Sequence, residues 1–405
     1  MKGWCWGMFW SGLVGLQAAV SQPGPVRQFS ALTTLNLNLA DREGLEHNKL
    51  RRGDSPFSNL ALTLFGDVVF APQLTLFNQL LIDPSSRANQ SLSTYLNSYL
   101  RYTVFSRPRA DLHLQAGKLP TPFGAFGPRA YQDKNPLVGL PLMYHYFTSL
   151  RSNQLPADSA DLLAHRGQGQ VSLGFTGFKG GGSSQLFAGL PMIYDPCWDF
   201  GAEALGSLWR FEYLVALTQG TLSDPRSSPG DNNDGRQLAA RLGLVPATGL
   251  VLGTSYARGP YLDRSVTPAL KAGEKVEDYY QQITGADAEY SLGRFKVMAE
   301  SALIWWEVPT IAEDLKTAGF YLEGNYTLRS RLRAALRYSG LRFAKIDDGA
   351  GGQTAWDYDV DRWEAGLSYP LYEGVLGKVA WQHTRLDQPG AAGLKVLTLQ
   401  INSSF

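Results

Sequence analysis

The chain closes on Leu394-Lys395-Val396-Leu397-Thr398-Leu399-Gln400-Ile401-Asn402-Ser403-Ser404-Phe405. Side chains of a strand point alternately to its two faces. Leu397, Leu399, Ile401 and Phe405 therefore share one side, and Thr398, Gln400, Asn402 and Ser404 the other. The same period of two recurs upstream. Leu35, Leu37 and Leu39 oppose Thr34, Asn36 and Asn38, and Leu60, Leu62 and Leu64 oppose Asn59, Thr63 and Asp67. Leu96, Leu100, Tyr102 and Val104 oppose Asn97, Tyr99, Arg101 and Thr103. Further on, Leu238, Ala240, Leu242 and Leu244 oppose Gln237 and Arg241; Phe320, Leu322, Tyr326 and Leu328 oppose Glu323, Asn325 and Thr327. The chain reads as all-β.

Its 405 residues suffice for two ordinary domains or one large all-β domain. With 43 glycines, 12% aromatic and 18% charged residues, disorder and coiled coils are excluded. Lys+Arg 37 against Asp+Glu 36 gives a net charge of +1, without the basic excess of a nucleic-acid binder, so no nucleic-acid partner is expected. A mean hydropathy of −0.18 excludes a polytopic helical membrane protein. It does not exclude a transmembrane barrel, which hides its apolar residues in alternation.

Met1-Lys2, the apolar stretch from Trp4 to Leu16 and the small residues Ala18-Ala19-Val20-Ser21 read as an export signal over residues 1–21. A short membrane anchor is the alternative, but the apolar run falls short of the roughly 20 residues a spanning helix needs. Lys2 is the only charge in the leader, so the mature chain, residues 22–405, carries a net charge of 0. Cys5 leaves with it, and Cys197 alone permits no intramolecular disulfide.

A soluble sandwich also alternates, so the connections decide. Long ones (41–56, 83–93, 221–235, 259–279, 347–359) take turns with tight ones at Ala71-Pro72, 106–109, 247–249, Leu292-Gly293, Arg329-Ser330 and 371–374. Long loops on one rim and short turns on the other are the habit of outer-membrane barrels. An amphipathic last strand ending on Phe405 resembles the signal read by the barrel-assembly machinery. The expected location is therefore the outer membrane. Phe70, Phe105, Trp305, Trp363, Tyr369 and Trp381 near strand ends fit an interfacial girdle.

With the apolar set facing lipid, the polar set faces a lumen. Parity assigns Arg101, Asp111, His113, Glu212, Arg241, Lys296, Glu300, Glu323, Arg331, Arg333, Arg337, Arg362, Glu364 and Lys378 to it. Such a mix is costly in a dry core and is solvated in a water-filled channel. Arg331, Arg333 and Arg337 form a cationic stripe. It either attracts anions by its focused field or pairs with Glu323 and Glu364 on the flanking strands.

One connection breaks the pattern. Residues 119–197 contain Pro120, Pro122, Pro128, Pro136, Pro141 and Pro156 and form the third long-side loop. A loop this long is expected to fold into the barrel and narrow it, with folding over the mouth as the alternative. Arg129, Lys134 and Arg151 are its candidate constriction residues. At its entrance, Gly117-Lys118-Leu119-Pro120-Thr121-Pro122-Phe123-Gly124 resembles the G-x-[FL]-x-x-P-F-G stretch of the phosphate- and polyphosphate-selective porin family. The resemblance implies a 16-stranded channel for small solutes, often trimeric. Family members that select phosphate use many lumenal Arg and Lys residues; this inferred lumen carries both signs, so a general porin is the expectation. Counting strands gives 16, or 18 if Gly169–Phe178 and Gln185–Leu190 form an extra hairpin.

His47, His113, His145, His165 and His383 show no metal-ligand spacing, and no cofactor is expected. His145 and Ser149 leave an outer-membrane hydrolase as a minor alternative. An enzyme or adhesin on the same barrel is the competing class.

Overall fold

The computed structural model describes residues 25–41, 60–83, 93–120, 122–170, 174–194, 197–226, 230, 232–328 and 331–405. The leader, the first two long connections and Thr121 lie outside them. Sixteen strands form one closed barrel in chain order, each antiparallel to its neighbours. They are β1 (Val26–Ala40), β2 (Leu60–Ala71), β3 (Leu74–Asp83), β4 (Ser93–Arg107), β5 (Ala110–Pro120), β6 (Trp198–Leu208), β7 (Phe211–Thr218) and β8 (Gln237–Ala247). The second half comprises β9 (Leu250–Pro260), β10 (Tyr280–Leu292), β11 (Phe295–Trp306), β12 (Leu315–Thr327), β13 (Arg333–Phe343), β14 (Val360–Tyr372), β15 (Val375–Leu386) and β16 (Leu394–Ser404).

The last strand closes the barrel on the first. Leu399 faces Leu37 and Gln400 faces Asn36 in register. Inside the seam Thr34 Oγ1 donates to Asn402 Oδ1 at 2.8 Å and Gln400 Nε2 to Asn36 Oδ1 at 2.7 Å. Phe405 finishes the seam by exchanging backbone hydrogen bonds with Ala31 at 2.7 and 3.1 Å, its ring left exposed. Closure removes the unpaired edge that a membrane cannot solvate.

The alternation is what the two solvents require. Leu397, Leu399 and Ile401 are exposed on the outer face, whereas Thr398, Gln400 and Asn402 are buried within. Leu238 and Leu242 lie outward with Gln237 and Arg241 inward, and Leu322 and Tyr326 outward with Glu323 inward. Phe70, Phe105, Trp363, Tyr369 and Trp381 are exposed on the outer wall; Trp305 is half-buried.

The strand count is 16, not 18. The described residues of the candidate extra hairpin, of which 171–173 lie outside, fold back on the third loop's own backbone: Leu190 N–H donates to Leu150 O at 2.7 Å and Gly189 N–H to Gly169 O at 2.7 Å. Gly181–Gly182 pair with Gln154–Leu155 within the loop. Gly177, Gly181 and Gly182 all have positive φ, which suits turns and not a regular wall strand.

Candidate functional site

The third loop leaves β5 and crosses the lumen, and the glycine-proline stretch at its entrance makes the crossing. Gly117 has φ +132°, and a Cβ there would meet Ser98 O and Tyr99 Cα at 2.5 and 2.8 Å. Pro120 ends β5. The Phe123 ring then packs on β10, its Cζ 2.7 Å from where a Cβ on Gly285 would stand. Gly124 N–H donates to Ser255 Oγ on β9 at 3.0 Å. Gly124 has φ +68°, and a Cβ there would overlap Glu300 and the Tyr144 hydroxyl. The loop therefore folds inward, not over the mouth.

Beyond this crossing the loop docks on β11 to β16. An irregular backbone inside a barrel must have its carbonyls satisfied. Lys378 Nζ donates to Asn135 O at 2.6 Å, to Leu137 O at 3.2 Å and to Gln132 O. Arg362 reaches Leu140 O at 3.3 Å and Thr384 Oγ1 at 2.9 Å. Arg337 donates to Gly139 O at 2.8 Å and to Asn135 Oδ1 at 3.1 Å. Its other contacts are Glu323 Oε2 at 2.7 Å and Glu364 Oε2 at 3.0 Å. Arg337, Glu323, Glu364 and Arg362 are all at most 1% exposed. These groups are dry because the loop covers them, and Arg337 makes the pairing with Glu323 and Glu364 that was the alternative to a solvated, anion-attracting stripe.

Next to these polar contacts the loop contributes to an apolar cluster. Phe126, Leu142 and Met143 pack with Ile304, Trp306, Tyr321 and Phe343 of the wall. Glu300 lies at the edge of this cluster, accepting from Tyr144 at 2.6 Å and Tyr321 at 3.2 Å. The loop's own fold is pinned by Asp357, from the β13–β14 connection. Its carboxylate accepts from Ser149 N–H, Gly167 N–H and Tyr358 N–H at 2.8 Å each and from Ser149 Oγ at 3.0 Å. The fully buried Ser149 hydroxyl also lies 2.8 Å from His165 O, so its single proton is shared between that carbonyl and Asp357.

The remaining candidate residues separate by position. Arg151 is buried, stacked 3.2 Å from the Phe175 ring centroid and donating to Gln168 O and Phe187 O at 2.6 and 3.2 Å. Burial lowers its pKa to about 9. It scaffolds the loop. Arg129 of the loop and Lys296 of β11 converge on Glu289 of β10. Lys134 pairs with its neighbour Asp133 at 2.9 Å and stays partly exposed. Arg241 grips Asp287, with Nη2–Oδ1 at 2.8 Å. Arg331 is not on a strand: it has φ +70° in the turn before β13, while Arg333 opens β13 and is exposed. The three-arginine stripe is therefore one turn residue, one rim residue and one buried ion pair.

Burial is lopsided. Inward residues of β9 to β16 are mostly buried, whereas Asp67, Phe77, Tyr99, Arg101, Thr103, Asp111 and His113 on β2 to β5 are half-buried beside the buried Thr63, Gln79, Asn97 and Gln115. The loop covers this wall less than it covers the opposite one. Arg101 lies 5.1 Å from the Phe77 ring centroid. With the Gln115 amide oriented to satisfy both neighbours, its oxygen accepts from Arg101 and its nitrogen donates to Glu203 Oε1 at 2.7 Å. Sequence parity located Tyr99 and Arg101 but passed over Phe77, whose apolar side chain on an inner-face position was the available signal. Asp357 carried no signal, since its partners are about two hundred positions away.

No sequence family and no curated protein matches this chain. Solved structures do. The outer membrane channel DcaP of Acinetobacter baumannii superposes with a TM-score of 0.55 at 12% identity, over 95% of this chain and 99% of that one. OmpF of Salmonella typhi gives 0.54 at 12% identity, over 94% and 97%. An anion-selective porin from Comamonas acidovorans gives 0.53 at 11% identity, over 94% and 100%. At such identities the shared property is the fold: a closed, 16-stranded outer-membrane-type barrel with strands in sequential order.

Proposed function

We propose that the mature chain is an outer-membrane porin, a passive channel for small hydrophilic solutes. The observation that carries this reading is the lopsided lumen, with a third loop packed on β9 to β16 facing a less tightly covered, half-buried wall on β2 to β5. A loop so placed narrows a barrel without filling it. The pore-lining residues are Arg101, Arg129, Lys134, Lys296 and Arg333, with Arg241, Glu300, Glu323, Arg337, Arg362 and Glu364 holding the wall and loop that shape the constriction. Arg331 flanks the short-turn mouth. Anion preference is weak in this reading, because Arg129 and Lys296 share Glu289 and Arg337 lies between two carboxylates. The proposed setting is the outer membrane, reached through the leader over residues 1–21 and through recognition of Phe405 by the barrel-assembly machinery, with a homotrimer as the assembly.

Reconstitution in a planar bilayer tests the reading. Stepwise conductance is expected, with a reversal potential near zero in a salt gradient. A folded, heat-modifiable preparation that never conducts would remove the channel function.

A further inference from the structure

We propose that the short-turn rim carries a binding site for an anionic phospholipid, built from the β4–β5 and β6–β7 turns; the proposal rests on the barrel and not on its conducting. Arg107 and Arg109 flank Pro108 in the first turn, and Arg210 follows Trp209 in the second. Trp209 N–H donates to Arg109 O at 2.7 Å, which sets the two turns side by side. The Arg107 guanidinium lies 5.8 Å from the Phe105 ring centroid, and that of Arg210 4.9 Å from the Trp209 ring. Both rings are exposed, so these cations stand at the lipid-facing edge and not in the lumen. All three arginines are exposed, and among the described residues none forms an ion pair. Leu208 pairs with Phe211, which leaves Trp209 and Arg210 as a two-residue hairpin loop. Trp209 has φ +57°, a conformation such loops normally give to glycine or asparagine. With the ring 65% exposed, little packing within the chain offsets that strain. An indole seated in a layer of lipid head groups does.

The rim as a whole carries one sign. Its described turns and their flanks hold Arg107, Arg109, Arg210, Arg294, Arg331 and Arg333 against one acid, Glu373. On the opposite rim the signs are mixed: residues 263–278 combine Arg264, Lys271 and Lys275 with Asp263, Glu274, Glu277 and Asp278. Guanidinium groups match phosphate oxygens bidentately, and a cluster of them favours a net negative head group. Farther up the same strands the outer wall has an apolar groove of about 490 Å³, with Ala202 and Ala204 between Leu114 and Val215. Ala204 is four residues from Leu208, ~13 Å along the strand and within half of a hydrocarbon core roughly 30 Å thick. An acyl chain below a head group held at the turns therefore reaches the groove. A phospholipid satisfies both features, whereas a free anion or an acidic polymer satisfies the turns alone.

The test uses the folded, full-length protein in detergent, titrated with dioleoyl-phosphatidylglycerol and read by native mass spectrometry. Saturable retention of this lipid is expected, and weaker retention of dioleoyl-phosphatidylcholine. Replacing Arg107→Gln, Arg109→Gln and Arg210→Gln together should weaken phosphatidylglycerol binding at least about tenfold. Lys271→Gln with Lys275→Gln, on the opposite rim, should leave it unchanged. Trp209→Gly separates a lipid contact from a structural role. It should weaken binding while leaving the conversion temperature on heated electrophoresis the same or higher, because the strained φ is relieved. Equal retention of the two lipids, or full retention by the triple variant, overturns the site. Displacement of the lipid by excess inorganic phosphate overturns the lipid assignment in favour of a free anion. A protein that conducts but retains no phosphatidylglycerol overturns this site and leaves the porin reading intact. A silent barrel that retains the lipid supports the site and removes the channel.

Discussion

Lys378 Nζ donates to the carbonyl oxygen of Asn135 at 2.6 Å, from the barrel wall to the loop folded inside it. A lysine in the wall thus serves backbone carbonyls of residues 132, 135 and 137, not a solute. Replacing Lys378→Met leaves those carbonyls without a donor. Hydrogen bonds from charged groups contribute about 1.5–3 kcal/mol each, and the three share one ammonium, so the loop should loosen by ~3 kcal/mol. The expected outcome is faster proteolysis between residues 130 and 145 in the folded barrel, with larger and noisier single-channel steps. Unchanged protease resistance would show that the apolar cluster alone holds the loop.

Arg337 lies between Glu323 and Glu364 with all three side chains buried. Removing the cation leaves two carboxylates facing each other out of water. Breaking a buried pair in this way costs about 3–5 kcal/mol. Arg337→Met should lower the temperature at which the folded form converts on heated electrophoresis. Adding Glu323→Gln and Glu364→Gln should restore most of the loss, because the uncompensated charges are gone. A triple variant as weak as the single one would shift the explanation to lost packing.

Gly124 is constrained twice, by φ +68° and by the absence of room for a Cβ beside Glu300 and Tyr144. Gly124→Ala should displace the loop entrance and break the Tyr144–Glu300 hydrogen bond of 2.6 Å. Gly127, three residues on, has nothing within 4 Å of an added Cβ. Gly127→Ala is the matched control and should leave folding and loop protection unchanged. Equal effects from both substitutions would deny the special role of the crossing point.

The wall was legible in the sequence and the occupancy of its interior was not. Alternation in β16, β4 or β12 is dictated by lipid on one side, and it survives whatever lies on the other. Arg337, Arg362 and Lys378 lie on the inner face as assigned, yet their partners include carbonyls of residues 132–140, which leave no mark in side-chain identity. Arg331 shows the limit of parity counting. It shares odd parity with Arg333 and Arg337, but the chain turns at φ +70°, so alternation no longer applies there. The inward fold of the loop was legible from its length, whereas the wall it docks against was not.

Asp357 is buried in the β13–β14 connection, and burial raises its carboxyl above the ordinary value of 3.8. The folded protein therefore binds this proton more tightly than the unfolded chain. Stability at this site should fall as pH rises from about 3.8 through the raised value, since the unfolded chain ionises first. Hydrogen exchange of the Ser149 and Gly167 amides, measured on the folded barrel between pH 4 and pH 7 after correction for intrinsic rates, reads this directly. Protection of those amides should decline across the window. In Asp357→Asn the pH dependence should flatten, with lower protection overall at Ser149, whose N–H and hydroxyl both donate to the carboxylate. Protection that instead rises with pH would mean that the backbone donors outweigh burial, and that the carboxylate form anchors the loop.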